Sequence, residues 1–512
     1  MLRKIIILTV LVLMMLVFSG AAMPASTLVS IEYATQSSKE ECTYQIDITV
    51  GKSSWIAIKK KETTEEYRYL KKVTQVYQVV DNDFKSKGSF VLTWKYSKSS
   101  GAMVYLDSSV STPINLKISS VNSVSVPQVH VLKPGDKKIA AGINMKKSII
   151  VPSDSTAYVE GKGSYYKLNS VVYTKPLGYT INEHTPNIEG WNIKLQGETV
   201  TAATTIGYKA SYTARVSVAL CNGPLANWQD PLVQEKIIAI DSKADRHYLV
   251  DGVYTSLPSN YYPRSENACI YRIAAAHILN IITDENLGCY FDLLSQDLMY
   301  CHLSSYNGQG YIPTQPMSEW LMNDYGIGHD FYDTRFNTDT NKALLKIYRK
   351  YPDKIVVDKL KAAIKFYVDY YEKNTFTAQG NIFLPDYYGP SITQTPNCSL
   401  NHYIAEANFL YNYYNLYPDE DLKAIADSIV DSVNNTSGKW IKPNDDLFYA
   451  ITPEGEFVGN DYPSVTYNDL ISLYRNLEAL NMPIGEGIKE LIAHKEEWMK
   501  NNGYTHLLLK HN

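Results

Sequence analysis

The chain lacks most of the features by which an enzyme is known at sight. Its 512 residues hold six cysteines, Cys42, Cys221, Cys269, Cys289, Cys301 and Cys398, with no C-x-x-C spacing, so a disulfide framework is not indicated. Cys398 and His402 stand four apart but have no matching second pair, and no metal or other cofactor is expected. There is no G-x-S-x-G, no P-loop, no H-E-x-x-H and no dinucleotide-type glycine pattern after a strand. Charge of one sign is missing as well. With 49 Lys+Arg against 53 Asp+Glu the net charge is −4, which gives no field to attract a polyanion and argues against nucleic acid as the main partner. No segment beyond the N-terminal region is apolar enough to span a bilayer, and there is no repeat or low-complexity tract.

What is present begins with an address. Arg3 and Lys4 precede an apolar run from Ile5 to Phe18, and small residues follow. This pattern predicts a secretory signal peptide over residues 1–25, cut after Ala22 or Ala25, and a secreted or cell-surface protein with no membrane span after cleavage. The other excess is tyrosine, 42 residues of it. A phenol ring stacks on a sugar face and its hydroxyl hydrogen-bonds or carries a proton, so the composition leans towards a polysaccharide or oligosaccharide partner. The oligomeric state is not legible.

From Thr27 to about Leu220 the residues alternate with period two, as in 43–50, 89–96 and 214–220, which predicts antiparallel strands with one wet face. The region is long enough for two β domains, expected at 26–125 and 126–230. After Pro231 the period becomes 3.6: Val356, Leu360, Ala363, Tyr367 and Tyr370 form one helical stripe, and Leu400, Ile404, Ala407, Tyr411 and Tyr414 repeat it. Helices are expected near 266–283, 287–303, 339–351, 354–374, 400–416, 419–435, 465–481 and 486–501. Links within pairs are short and links between pairs are long, so 231–512 is expected to form about four antiparallel hairpins with the long loops gathered at one end. The predicted fold is thus an antiparallel β-sandwich region followed by an (α/α) toroid-like domain.

Those loops concentrate the polar aromatic residues. The first carries Trp320 and Asp330-Phe331-Tyr332-Asp333-Thr334-Arg335, the second Asp386-Tyr387-Tyr388 through Ser399-Leu400-Asn401-His402-Tyr403, and the third Tyr449 and Asp461-Tyr462 leading to Asn468 and Asp469. A cleft built from them is the candidate site. Asp339 and Asp469 stand near helix starts and read as caps. Asn401, Asn408, Asn412 and Asn415 form a stripe that fits either an amide-lined ligand surface or a wet face.

In order and spacing these segments, about residues 320–500, resemble the C-terminal helical domain of the D-glucuronyl C5-epimerase family. Phe331-Tyr332 stands where that family has a Trp-Tyr pair, Leu400-Asn401-His402-Tyr403 where it has a Leu-Asn-Gly-aromatic stretch, and Tyr449 and Asp461-Tyr462 where it has site tyrosines. The resemblance implies proton removal and return at C5 of a glucuronate in a polysaccharide, with Tyr387, Tyr449, Tyr462 and Asp386 in catalysis. The candidate substrate-binding residues, drawn from these motifs and loops, are Tyr332, Arg335, Asn401, Asp461, Asn468 and Trp320. Two departures are visible. The family's Glu-Glu-Tyr-Pro reads Tyr387-Tyr388-Gly389-Pro390, leaving Asp386 as the substitute carboxylate, and Ala450-Ile451-Thr452 replaces the Arg that follows the family's tyrosine, leaving Arg335 to neutralise a uronate. Two other classes stay open. One is a toroid-type glycoside hydrolase or lyase using carboxylates among Asp330, Asp333, Asp386 and Asp461. The other is a non-catalytic glycan- or wall-binding protein.

Overall fold

A computed structural model describes residues 27–36, 41–51, 54–121, 126–271, 275–283 and 287–509. The expected leader, residues 1–25, lies outside them. The chain divides into two compact units, Met1–Leu257 with Arg264–Cys301 and Pro258–Pro263 with His302–Asn512.

The first unit is antiparallel β. One sheet runs Thr27–Gln36, Glu41–Val50, Ile114–Val121, Thr199–Ile206, Trp191–Gln196, Ser148–Val151. Along Glu41–Val50 the alternate residues Tyr44, Ile46, Ile48 and Val50 are buried, the outcome the period-two pattern predicts. Their face meets a larger, fourteen-stranded sheet: the Tyr44 hydroxyl donates to the Cys221 carbonyl at 2.8 Å, and its ring meets Tyr166 edge-on at 6.3 Å. Ile114–Val121 pairs with Glu41–Val50 on one side and Thr199–Ile206 on the other. Strands from both sides of residue 125 therefore share a sheet.

Residues 231–301 hold more strand than their sequence predicts. Helix α1, Pro231–Asp241, is capped by Asp230, whose side chain accepts from the Leu232 N–H at 2.9 Å. Three strands follow, His247–Leu249, Gly252–Ser256 and Ala268–Tyr271, at the end of the large sheet. The helix expected over 266–283 is thus a strand and then α2, Ala275–Ile282, with α3 at Cys289–Ser304. A run as short as Ala268-Cys-Ile-Tyr fits either period, and its pairing with Ile181–Pro186 and Gly252–Ser256 decides the outcome.

In the second unit a short helix α4, Glu319–Tyr325, precedes three helical hairpins: α5 (Thr334–Lys350) with α6 (Lys354–Asn374), α7 (Leu400–Tyr414) with α8 (Glu420–Trp440), and α9 (Val465–Ala479) with α10 (Glu486–Asn501). Helix α7 packs against both α5 and α9, while α8 packs against α7 and α10. Thirteen of the fifteen residues of α7 are buried, so it is the central rod of this unit. Asp333, Asp353 and Asp419 cap α5, α6 and α8 through their side chains.

The long loops enter the N-termini of α5, α7 and α9 and are stitched together there. Tyr332–Asp333 pairs with Tyr387–Tyr388, joining the first loop to the second. Cys398–Ser399 pairs with Ala450–Ile451, joining the second to the third. Among the described residues no helix is long and apolar enough to cross a membrane.

Candidate functional site

Where the second loop meets α7, Asp386 is 1 % exposed and fully engaged. Its carboxylate accepts from the Ser399 N–H at 2.7 Å, from the Ser399 hydroxyl and from Asn397 Nδ2 at 3.1 Å. Ser399 is the residue before α7, yet its hydroxyl makes no cap bond because Asp386 takes it. The Ser399 side chain interacts with the Tyr449 hydroxyl and favours its ionised form, and Tyr449 is held beside it because the Leu400 N–H donates to the Tyr449 carbonyl at 2.9 Å. Tyr449, Ser399 and Asp386 thus lie in sequence from a half-buried phenol to a sealed carboxyl, with Ser399 hydrogen-bonded to the carboxyl.

A second buried carboxyl lies near this chain. His402 Nδ1 is 3.6 Å from Asp386 Oδ1 and 2.9 Å from Thr334 Oγ1. The Thr334 side chain in turn interacts with Glu406, which accepts from the Tyr367 hydroxyl at 2.7 Å. Burial pushes Asp386 up to about 8 against the hydrogen bonds from Ser399 and Asn397, and pushes Glu406 up to about 8 against those from Tyr367 and Thr334. Burial, reinforced by Arg335, keeps His402 neutral. Burial and the neighbouring Asp386 hold Tyr449 as a phenol.

The sequence-predicted residues fall into three groups. Tyr462 is 50 % exposed and meets Tyr449 edge-on at 5.9 Å, so these two tyrosines and Asp386 come together. Tyr387 is buried among Leu321, Ile327 and Phe331, with half-buried Trp320 edge-on to it at 5.6 Å.

Arg335 and Asn401 form the second group. Arg335 gives Nε to Asp339 at 3.0 Å and Nη1 to Asp469 at 2.5 Å and to the Asn401 carbonyl at 2.9 Å. Burial works against its charge, but the Asp469 and Asp339 carboxylates outweigh that and hold it protonated. Its charge is matched inside the fold. Asp339 and Asp469 are therefore ion-pair partners rather than the caps they resemble in sequence. Asn401 Oδ1 and Asn468 Oδ1 are buried with no hydrogen-bond partner.

Tyr332 and Asp461 lie apart from the chain. Tyr332 and Tyr388 are opposite each other in the ladder, and both contact Tyr370; Tyr332 also meets Phe366 and Tyr311 edge-on. Tyr387 and Asp333, the neighbouring pair, take the other face. Asp461 accepts from the Thr466 hydroxyl at 2.5 Å and lies 2.8 Å from Lys495 Nζ, so it ties the third loop to α10. The Asn stripe on α7 is structural where it can be traced: Asn408 donates to the Asp469 carbonyl at 2.9 Å and accepts from Asn476 at 2.7 Å.

Sequence reasoning did not give a role to Thr334, Asn397, Ser399 or Glu406. Glu406 had a signal: it is the one Asp, Glu, Lys or Arg in the whole of α7. A lone carboxylate on a helix without a charged face is a buried one.

A separate concavity of about 600 Å³ lies on the first unit, lined by Ser30, Gln45, Asp47, Asn115, Lys117 and Asn192 among others. None of its lining residues is aromatic, so it offers no ring for a sugar to stack on.

No family's sequence profile matches the chain. No curated protein matches it. Among solved structures it is similar to a D-mannose isomerase (14% identity, TM-score 0.31, over 45% of this chain and 58% of that one). It is similar to the cellobiose 2-epimerase of Spirochaeta thermophila DSM 6192 (11%, TM-score 0.35, 46% and 60%). A family 76 glycoside hydrolase from a bovine Bacteroides thetaiotaomicron strain is matched over 76% of this chain and 75% of that one (11%, TM-score 0.36). The chain spans 58% and 60% of the first two proteins' lengths. Likenesses at these scores assign neither a family nor an activity.

Proposed function

We propose that the second unit is a carbohydrate-active enzyme in which Tyr449 exchanges a proton with a sugar while Asp386, behind Ser399, holds a proton in reserve. The observation that carries this reading is Ser399, whose hydroxyl is bonded to sealed Asp386 while its side chain also interacts with the Tyr449 hydroxyl. Asp386 is sealed and does not touch substrate. It acts through the serine hydroxyl, which donates and accepts at once.

With Asp386 pushed up to about 8, the carboxyl is mostly protonated at neutral pH and the relay starts loaded. When Tyr449 gives its proton to a carbanion-like carbon, the Ser399 hydroxyl, which donates to Asp386 when that group is ionised, turns to pass its proton to the phenolate, and protonated Asp386 passes its own to Ser399. The balance is one proton moved from the carboxyl to the sugar and one carboxylate left behind. Run in reverse from ionised Asp386, the same chain lets Tyr449 remove a proton.

The finer reading, supported by the motif resemblance, is removal and return at C5 of a uronate within a polysaccharide. Tyr462, exposed beside Tyr449, is assigned to the sugar's second face. The leader expected at residues 1–25 adds that this substrate lies outside the cytoplasm.

A second reading, hydrolysis of a glycosidic bond with Tyr449 and Asp386 as the proton source, is favoured by one specific observation. Arg335 is bound to Asp339 and Asp469 and is not available to neutralise a uronate carboxylate. Incubation with heparosan, alginate and pectin in heavy water separates the two: deuterium at C5 without new reducing ends selects exchange, and new reducing ends without label select hydrolysis. If all three polymers stay unlabelled and unshortened, the catalytic reading is wrong.

A further inference from the structure

In the first unit three metal-ligating side chains meet on one face of the large sheet. His184 lies on the strand Ile181–Pro186, His247 opens His247–Leu249, and Cys269 lies on Ala268–Tyr271. The register places them together: Cys269 is opposite Asn182 and Ser256, and His247 is opposite Tyr254. Side chains alternate along a strand, so His184 shares a face with Asn182, and Tyr254 with Ser256. One donor atom from each of His184, His247 and Cys269 lies within 4.8 Å of the other two.

A second observation points to a ligand. His184 is 4 % exposed and neither of its ring nitrogens has a hydrogen-bond partner. Buried imidazoles ordinarily satisfy at least one nitrogen, because an unpaired polar group in the interior is costly. The His184 and His247 rings approach to 4.6 Å between centroids, and Cys269 is a free thiol. A carboxylate is close by: Asp245 Oδ2 accepts from the Ser256 N–H at 3.2 Å and hydroxyl at 2.6 Å, and Ser256 is the ladder partner of Cys269.

We propose that His184, His247 and Cys269 bind a divalent transition-metal ion of the zinc class. Two imidazoles and one thiolate are borderline-soft donors, which select zinc-like ions over calcium or magnesium. A tetrahedral zinc with nitrogen at roughly 2.0–2.1 Å and sulfur at roughly 2.3 Å sets its donors about 3.3–3.6 Å apart. Donors already within 4.8 Å reach that spacing by small side-chain rotations. Three protein ligands leave one position of a tetrahedral ion for water or another donor. The ion would bind the strands of His247, Cys269 and His184 into one end of the sheet.

The test uses the full chain, stripped with a chelator and titrated with cobalt(II) alone. One equivalent is expected to produce tetrahedral visible bands and a near-ultraviolet thiolate-to-metal band, both erased by equimolar zinc. Cys269→Ser is expected to lose the thiolate band, and His247→Gln, at a half-buried position, to weaken cobalt binding more than ten-fold with an unchanged circular dichroism spectrum. Should Cys269→Ser fail to fold, the wild-type spectrum and His247→Gln decide alone. Saturating cobalt without a thiolate band in the parent protein, or equal affinity in His247→Gln, would overturn the assignment.

Discussion

Asp386 takes both the backbone N–H and the hydroxyl of Ser399, so the residue that would cap α7 instead locks the second loop to the start of that helix. The contact is at once a structural clamp and the middle of the proposed proton path. The predictions separate those two roles.

Stability should fall as pH rises from about 4 towards 8. Asp386 and Glu406 have folded values near 8, above the ordinary carboxyl values of 3.8 and 4.5, so in that window the folded protein binds more protons than the unfolded chain. The slope per carboxyl is at most about 1.4 kcal/mol per pH unit and vanishes above the folded values. Thermal midpoints between about pH 5 and 9 check this, and Glu406→Gln should flatten its share of the slope.

Tyr449→Phe removes one hydroxyl and keeps the ring against Tyr462. Stability should change by no more than about 1 kcal/mol. Turnover should drop by roughly 10²–10⁴-fold through kcat, with KM little altered. Steady-state kinetics on the polymer found active, together with an unfolding curve, measure both.

Arg335→Met should act on stability and not selectively on the proton path. It strands Asp469, and breaking a buried pair from one side costs about 3–5 kcal/mol. A large fall in the thermal midpoint is the expected outcome, and Arg335→Lys should recover part of it. A stable Arg335→Met protein with selectively lost turnover would instead place the guanidinium at the substrate.

Tyr462→Ala should leave the fold alone, since half of the side chain is in water. Loss of ring contact with a sugar of about 1 kcal/mol corresponds to roughly five-fold weaker binding. Calorimetric titration with an oligosaccharide of the active polymer reads it directly.

The helices were legible where period and cap agree: α6 begins after its cap Asp353, as its stripe predicts, and α10 spans Glu486–Asn501, the range expected for it. Helix α5 begins at Thr334 rather than near 339 because Asp333 is the cap, an ambiguity inherent in a segment holding Asp330, Asp333 and Asp339. Tyrosine was less informative than its abundance suggests. Tyr44, Tyr158, Tyr166, Tyr290 and Tyr403 are core residues, and Tyr158 and Tyr290 bond the buried Asp241–Lys167 pair. The Tyr332 side chain takes the face opposite Tyr387 because adjacent residues in a ladder alternate, which no motif comparison reveals. The Ser399 link was hidden for a related reason: its partners, Asp386 and Tyr449, come from two different loops, and only their pairing at the start of α7 brings them together.

The most direct test is the pH dependence of turnover in Ser399→Ala, which leaves Tyr449 and Asp386 in place and removes the atom between them. The relay predicts a wild-type profile that bends near pH 8. It predicts a variant slowed on the order of 100-fold that has lost the bend, and a Ser399→Thr protein that regains it. A folded Ser399→Ala protein with wild-type rate and profile would contradict it.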